Sequence, residues 1–142
     1  MNNDTFENLL KQLQKKIEYE EQNIFSKTVI EEYKNPTNFG KLNNPNRTGS
    51  LKGPCGDTMR IDLLLNDQII SVARFWTDGC GPSIACGNML TKMIIGKTVD
   101  NAMHITSSKL LYALDGLPED HQHCATLAIN TLHKVLKESD KR

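Results

Sequence analysis

The sequence predicts an α+β domain in which a small antiparallel β-sheet packs against several helices. Apolar residues recur at helical spacing near both ends of the chain. Between residues 59 and 77 stands a period-two pattern interrupted by turn residues, and the strands come early while most helices come late. At 142 residues the chain suits one core of ordinary size.

Phe6, Leu9, Leu10, Leu13 and Ile17 alternate with charged residues at helical spacing, so residues 4 to about 22 should form an amphipathic helix. Its apolar stripe needs a cover. Packing on the rest of the chain is expected, with docking to a partner as the alternative. A second short helix is predicted from Ser26 to Tyr33, ending before Asn35-Pro36 because the residue before a proline avoids helical dihedrals. Residues 35–54 hold Pro36, Gly40, Pro45, Gly49, Gly53 and Pro54 among several Asn, which predicts an irregular approach to the core. Met59, Ile61, Leu63 and Leu65 alternate with polar residues as in a half-buried strand. Asn66-Asp67 supplies a turn, and Ile69 to Thr77 a second strand, giving a β-hairpin. After Gly79-Cys80-Gly81, Pro82 suits the first turn of a helix whose face is Cys86, Met89, Leu90, Met93 and Ile94 and which stops at Gly96. Short helices follow at Val99 to His104 and Ser107 to Leu114. Cys124, Leu127, Ala128, Thr131, Leu132 and Val135 form the stripe of a long terminal helix.

Seventeen Lys plus Arg balance seventeen Asp plus Glu, and no basic block offers the footprint of a nucleic-acid binder. No apolar run approaches the roughly 18 residues that span a bilayer, so a membrane partner is not expected. The first 24 residues are acidic and lack Arg, unlike secretory or organelle signals, which predicts a cytoplasmic location. In a reducing compartment the four cysteines are better candidates for catalytic or metal-binding thiols than for disulfides.

Three of those cysteines sit where the backbone exposes side chains. Cys55 and Asp57 flank Gly56 at the entry to the hairpin, and residues two apart on an extended segment face the same side. Cys80 lies in a Gly-Cys-Gly turn before a helix start, where the positive helix end favours the thiolate that binds metal. His123 and Cys124 open the last helix. Cys55, Asp57, Cys80, His123 and Cys124 therefore form the candidate ligand set, and a thiolate-rich set selects zinc, cuprous copper or iron-sulfur clusters. Gaps of 25 and 44 residues between these cysteines match no compact zinc-ribbon spacing, so spacing alone leaves a shared metal site and three unrelated thiols both open.

Asn35-Pro36 with Asn38-Phe39-Gly40, then Cys55-Gly56-Asp57, Ala73-Arg74-Phe75, Gly79-Cys80-Gly81, Gly96-Lys97-Thr98 and Leu117-Pro118 leading to His123-Cys124 resemble the NifU/IscU-type iron-sulfur cluster assembly scaffold in order and spacing. The resemblance runs from about residue 26 to residue 142 and leaves residues 1–25 as an N-terminal amphipathic helical extension. It implies a non-catalytic, stand-alone scaffold domain that takes sulfur from a cysteine desulfurase, and iron separately. A transient [2Fe-2S] cluster then forms and passes to apo iron-sulfur acceptor proteins, with a homodimer as a further implied partner. It also implies that Cys55, Cys80 and Cys124 are the cluster and persulfide-accepting thiols, with Asp57 or His123 as the additional ligand. Four thiolates suit a permanent cluster. Three thiolates with one oxygen or nitrogen donor leave a softness mismatch and hence one exchangeable bond. A zinc-dependent sulfur acceptor using the same thiols is the alternative, and a structural zinc protein a third reading.

The chain departs from that family's pattern where Leu117-Pro118-Glu119-Asp120-His121-Gln122 stands in place of a Leu-Pro-Pro-Val-Lys chaperone-recognition segment. A lysine or arginine commonly precedes the last cysteine, and here His121 is the sole candidate cation, positioned to tune the charge of the site. Cys86 shares a helix face with Met89, Leu90 and Met93 and is expected to be an inert core thiol. Gly96-Lys97-Thr98 follows a helix rather than a strand and lacks the first glycine of a phosphate-binding loop, so nucleotide binding is not expected. His104 and His133 are expected to be packing or surface residues.

Overall fold

The computed structural model describes residues 3–138. In chain order the elements are α1 (Asn3–Ile24), α2 (Lys27–Lys34), β1 (Arg47–Lys52), β2 (Thr58–Asn66), β3 (Ile69–Thr77), α3 (Gly81–Ile94), α4 (Val99–Met103), α5 (Ser107–Ala113), a 3₁₀ turn (Glu119–His121) and α6 (His123–Lys137). The strands form one antiparallel sheet in the order β1-β2-β3. The architecture is α+β, as the sequence predicts.

The core follows from strand alternation. Met59, Ile61 and Leu63 of β2 and Ala73 and Phe75 of β3 are fully buried, and they meet Leu90 and Ile94 of α3 and Ala128, Leu132 and Val135 of α6. Each large apolar side chain so buried contributes about 1.5–3 kcal/mol. α3 packs on β3 and α6 on β1 and β2, and Ser83 in the first turn of α3 reaches Cys124 in the first turn of α6 at 3.3 Å, so both first turns lie at the same end of the sheet. α2 lies over α3 and is fastened to it by a polar strut. Asn88 Nδ2 donates to Glu32 Oε1 at 2.9 Å, Lys92 Nζ pairs with Glu32 at 2.9 Å, and Asn88 Oδ1 accepts from the Asn38 amide at 2.9 Å. Every polar atom of that strut named here is paired, as burial requires. The segment holding Asn38 then runs along β3, where the Gly40 amide donates to Phe75 O at 2.8 Å and the Phe75 amide to Asn38 O at 3.1 Å.

Three local expectations differ from the structure. Residues 47–52, expected to be irregular, form β1, paired from Arg47↔Leu63 to Lys52↔Thr58. No apolar alternation announces this strand, because Arg47, Thr48 and Gly49, which fix its start, are polar or lack a side chain. Thr48 Oγ1 donates to Asp62 Oδ1 at 2.5 Å and Arg47 Nη1 to Leu136 O at 2.7 Å. Gly49 lies against Val135, where a Cβ would stand only 3.1 Å from Cγ2. The hairpin turn sits one residue later than expected, on Asp67 (φ 52°) and Gln68 (φ 69°), both in the left-handed region that a tight hairpin turn demands.

The third difference concerns α1. Its helix forms as expected, but its stripe is not covered by the rest of the chain: Phe6, Leu9, Leu10, Leu13 and Ile17 are 49–57% exposed. Near its C-terminal end α1 is tied to α2, where Tyr33 donates to Glu21 Oε2 at 2.7 Å and Lys34 Nζ stands 3.5 Å from the same carboxylate. Amphipathicity dictates that a stripe exists, not which surface meets it. Among the described residues no helix is long and apolar enough to cross a membrane.

Candidate metal centre

Three turns converge at the end of the sheet where α3 and α6 begin. In the β1–β2 turn the Gly53 amide donates to Asp57 O at 2.7 Å and the Gly56 amide to Gly53 O at 3.0 Å. Gly56 adopts φ +93°, which glycine allows without strain. This turn presents Cys55 to solvent, with Sγ 3.6 Å from Asp57 Oδ2. Asp57 leans toward the β3–α3 turn, and a Cβ on Gly79 would stand 2.9 Å from its Oδ2. That approach is open only because residue 79 has no side chain.

In the β3–α3 turn Thr77 Oγ1 donates to Thr58 O at 2.7 Å and accepts from the Gly79 amide at 3.1 Å. Cys80 is the N-cap of α3, and its exposed side chain makes no capping bond, so the thiol is left for other chemistry. Cys124 is buried in the first turn of α6, where Ser83 Oγ donates to its Sγ at 3.3 Å. His123 Nε2 lies 3.7 Å from the same sulfur. The third turn is the 3₁₀ segment, held by the His121 amide donating to Pro118 O at 2.9 Å. It brings His121 in beside the thiols.

The ligand atoms of Cys80, His121 and Cys124 all lie within 4.8 Å of one another, and among the described residues no other trio of such groups does. Of the residues expected from sequence, Cys80 and Cys124 thus come together. Cys55 and Asp57 adjoin them from the neighbouring turn, close enough for their charges to act on Cys124. His123 touches Cys124 but is exposed, lining a cleft of about 260 Å³ with Leu51, Pro54 and Leu127. From the sequence, His121 is expected only to tune the charge of the site. The overlooked signal was its spacing, since residues three apart on a helical turn share a side and His121 precedes Cys124 by three.

Burial is the main cause that pushes the Cys124 thiol up to about 11 from 9.0. The Ser83 hydrogen bond works against it, while the neighbouring Cys80, Cys55 and Asp57 add to it. Cys86 is fully buried, and burial, then Cys124 and Cys80, drive its thiol still further up, as an inert core cysteine requires. Alkylation at pH 8 should therefore label exposed Cys55 and Cys80 first, Cys124 slowly and Cys86 last. The Cys124 rate should climb about tenfold per pH unit until the thiol ionises. Because Cys124 is raised in the folded chain, its contribution to stability is complete below pH 9.0 and is lost as pH rises through about 11. Peptide mapping by mass spectrometry checks the order, and early labelling of Cys124 would contradict the burial argument.

Two thiols with an imidazole, flanked by a third thiol and a carboxylate, fit a thiophilic metal by donor chemistry. The profile of the NifU-like N-terminal domain matches residues 24–142. A curated relative from Archaeoglobus fulgidus, iron-sulfur cluster assembly scaffold protein IscU 1, is 36% identical over 114 residues, covering 80% of this chain and 74% of its own. The chain belongs to the NifU-like N-terminal domain family. The family match starts at the last residue of α1, so the exposed stripe lies outside it. The Escherichia coli scaffold protein IscU is 34% identical over 119 residues, covering 80% of this chain and 92% of its own. Among solved structures, a SUF-system scaffold from Fervidobacterium islandicum superposes with a TM-score of 0.66 at 23% identity, covering 80% of this chain and 96% of that one, which establishes the shared fold. Both of these curated relatives are named as iron-sulfur cluster assembly scaffold proteins.

Proposed function

We propose that this protein is an iron-sulfur cluster assembly scaffold. It receives sulfur from a cysteine desulfurase, takes up iron, holds a transient [2Fe-2S] cluster as cargo and passes it to apo acceptor proteins, with a second copy as a further partner. The observation that carries the reading is the convergence of Cys55, Cys80 and Cys124, from three turns far apart in sequence, on one end of the sheet, two of them open to solvent. An exposed thiolate can attack the outer sulfur of a donor's persulfide. The donor's cysteine then leaves as thiolate, and the chain carries the persulfide until an external electron-transfer protein or thiol reductant delivers two electrons, breaking the S–S bond to release sulfide and restore the thiolate. Asp57, a hard oxygen donor beside Cys55, would give the cluster its exchangeable bond.

Anaerobic incubation of the full chain with ferrous iron and sulfide should produce a visible charge-transfer spectrum and acid-labile sulfide. Asp57→Ala should preserve that assembly but slow transfer to an apo-ferredoxin, and equal transfer rates would remove Asp57 from this role. A second reading, a zinc-dependent sulfur acceptor, is favoured by the Cys80–His121–Cys124 trio, since zinc takes sulfur and nitrogen donors in a compact tetrahedron. Stoichiometric zinc that survives purification and blocks cluster formation would select it over the scaffold.

A further inference from the structure

We propose that the exposed stripe of α1 is the docking surface for a second copy of this chain, the two α1 helices pairing antiparallel about a twofold axis between residues 11 and 12. The pairing gives the second copy of the scaffold reading a surface, and it stands whether or not the chain takes up iron.

α1 needs a cover. Residues 5–20 are exposed throughout, and its ties to α2 lie near its C-terminal end, where Glu21 meets Tyr33 and Lys34. A helix without tertiary cover is marginal in water, so burying the stripe would stabilise it.

The stripe is self-complementary. Phe6, Leu10, Leu13 and Ile17 follow at intervals of four, three and four residues, the alternation of a two-helix seam, and the series reads the same from either end. About a twofold axis Phe6 therefore meets Ile17 of the second copy and Leu10 meets Leu13, an isologous contact with apolar side chains on both sides of each layer. Leu9 borders the seam beside Lys16 of the second copy, whose methylene stem covers apolar surface while its charge stays in water. Phe6, Leu9, Leu10, Leu13 and Ile17 are each about half exposed. At roughly 100 Å² apiece, two stripes face to face bury about 1,000 Å², enough for a specific and reversible interface.

Charge selects this arrangement. A parallel in-register pair stacks Glu20 on Glu20 within the seam. The Lys16–Glu21 contact that would offset it competes with Tyr33 and Lys34, which already hold Glu21. An antiparallel pair one heptad longer, with Phe6 on Ile24, sets Lys16 against Lys16 and Glu7 against Glu21. The proposed register brings no like charges together at the seam or its borders, because Glu7 lies beside Gln14 and Lys16 beside Leu9. It also brings Asn3, where one helix begins, level with residue 20 of the other, just short of the α2 contact at Glu21. A lipid surface fits less well: α1 carries five acidic and three basic residues, whereas membrane-surface helices are rich in Lys and Arg.

Sedimentation velocity of the full apo-chain tests this, with reductant present so that exposed Cys55 and Cys80 form no cross-links. The parent should pass from monomer to dimer between about 1 μM and 1 mM, and its helical circular dichroism should rise with the dimer as α1 gains cover. Leu13→Glu should weaken dimerisation at least about 100-fold, because one substitution strips two layers. Residue 13 is exposed in the single chain and Glu favours helix, so the unfolding midpoint in dilute solution should match the parent's. Orientation has its own readout. Adding Leu10→Lys to Leu13→Glu sets opposite charges together in both central layers of an antiparallel pair and like charges together in a parallel one. The double variant should therefore dimerise more tightly than Leu13→Glu alone. A parent still monomeric at about 1 mM, a dimer that survives Leu13→Glu, or a double variant weaker than the single one would each overturn the proposal. So would a monomer that sediments with anionic vesicles and loses that property on Leu13→Glu, which assigns the stripe to lipid. The scaffold reading fails separately: a chain that dimerises through α1 but never accumulates acid-labile sulfide loses the scaffold function and keeps the interface.

Discussion

Gly87→Ala should destabilise the protein by about 3 kcal/mol or more without touching any ligand, and lower its thermal midpoint by roughly 10 °C. Gly87 lies at the centre of α3, where the helix crosses β3. A Cβ there would stand 2.7 Å from Phe75 Cε2 and 2.8 Å from Cγ, and nearer still to Cδ2, whereas carbon atoms rest at about 3.5–4.0 Å. The ring has little room to retreat, being fully buried and met on another side by the Phe39 ring at 5.2 Å and 89°. The β3 backbone at Phe75 is also held by its bonds to residues 38 and 40, so the strand cannot shift easily. Circular dichroism during thermal or urea unfolding gives the measurement. Phe75→Leu placed in the Gly87→Ala background should recover part of the loss by removing the clash. A midpoint within about 2 °C of the parent would show that the helix and strand can separate at little cost.

That contact illustrates what the sequence could disclose. The helices at both ends and the strands β2 and β3 were legible because their inner residues repeat at 3.6 or 2 positions, the pattern that one-sided burial imposes. Gly87 was legible only as part of a helix, since nothing local marks which residue of a strand will press on it. β1 was illegible for a related reason. Its place is fixed by β2 and α6 through Arg47, Thr48 and Gly49, none of which carries an apolar signature. Burial of α1's stripe was a question about another surface, and no property of the stripe itself could answer it.

The site divides in the same way. Cys55-Gly56-Asp57 and Gly79-Cys80-Gly81 were visible as turns that present thiols, because glycine and the coming helix are local features. Their approach to Cys124 was legible only through the family resemblance and not from spacing, because it depends on α3 and α6 starting at one end of the sheet, a property of topology. Both histidines beside Cys124 were visible in the sequence, and the structure differs for each: His123 comes within 3.7 Å of Cys124, whereas His121 joins Cys80 and Cys124. The spacing of three that brings His121 to the Cys80 side of Cys124 is a helical relation, which proximity in sequence does not express.

Cys80→Ser should have the converse effect to Gly87→Ala, removing the site while sparing the fold. Its side chain is exposed and makes no capping bond to α3, so the apo-protein should unfold within about 0.5 kcal/mol of the parent, as surface substitutions do. A serine oxygen is a harder donor than a thiolate and holds its proton near neutral pH, so it cannot replace the sulfur toward a soft metal. Zinc affinity should fall at least about 100-fold, beyond the effect expected of an outer partner, and iron with sulfide should give no stable chromophore. Cys86→Ser supplies the control for thiol count. Cys86 is buried in the core and its thiol is held protonated, so its replacement should alter stability rather than metal affinity. If Cys80→Ser loaded metal and sulfide as well as the parent, Cys124 and its remaining neighbours would have to hold the cargo alone, and the convergence of the three turns would lose its chemical purpose.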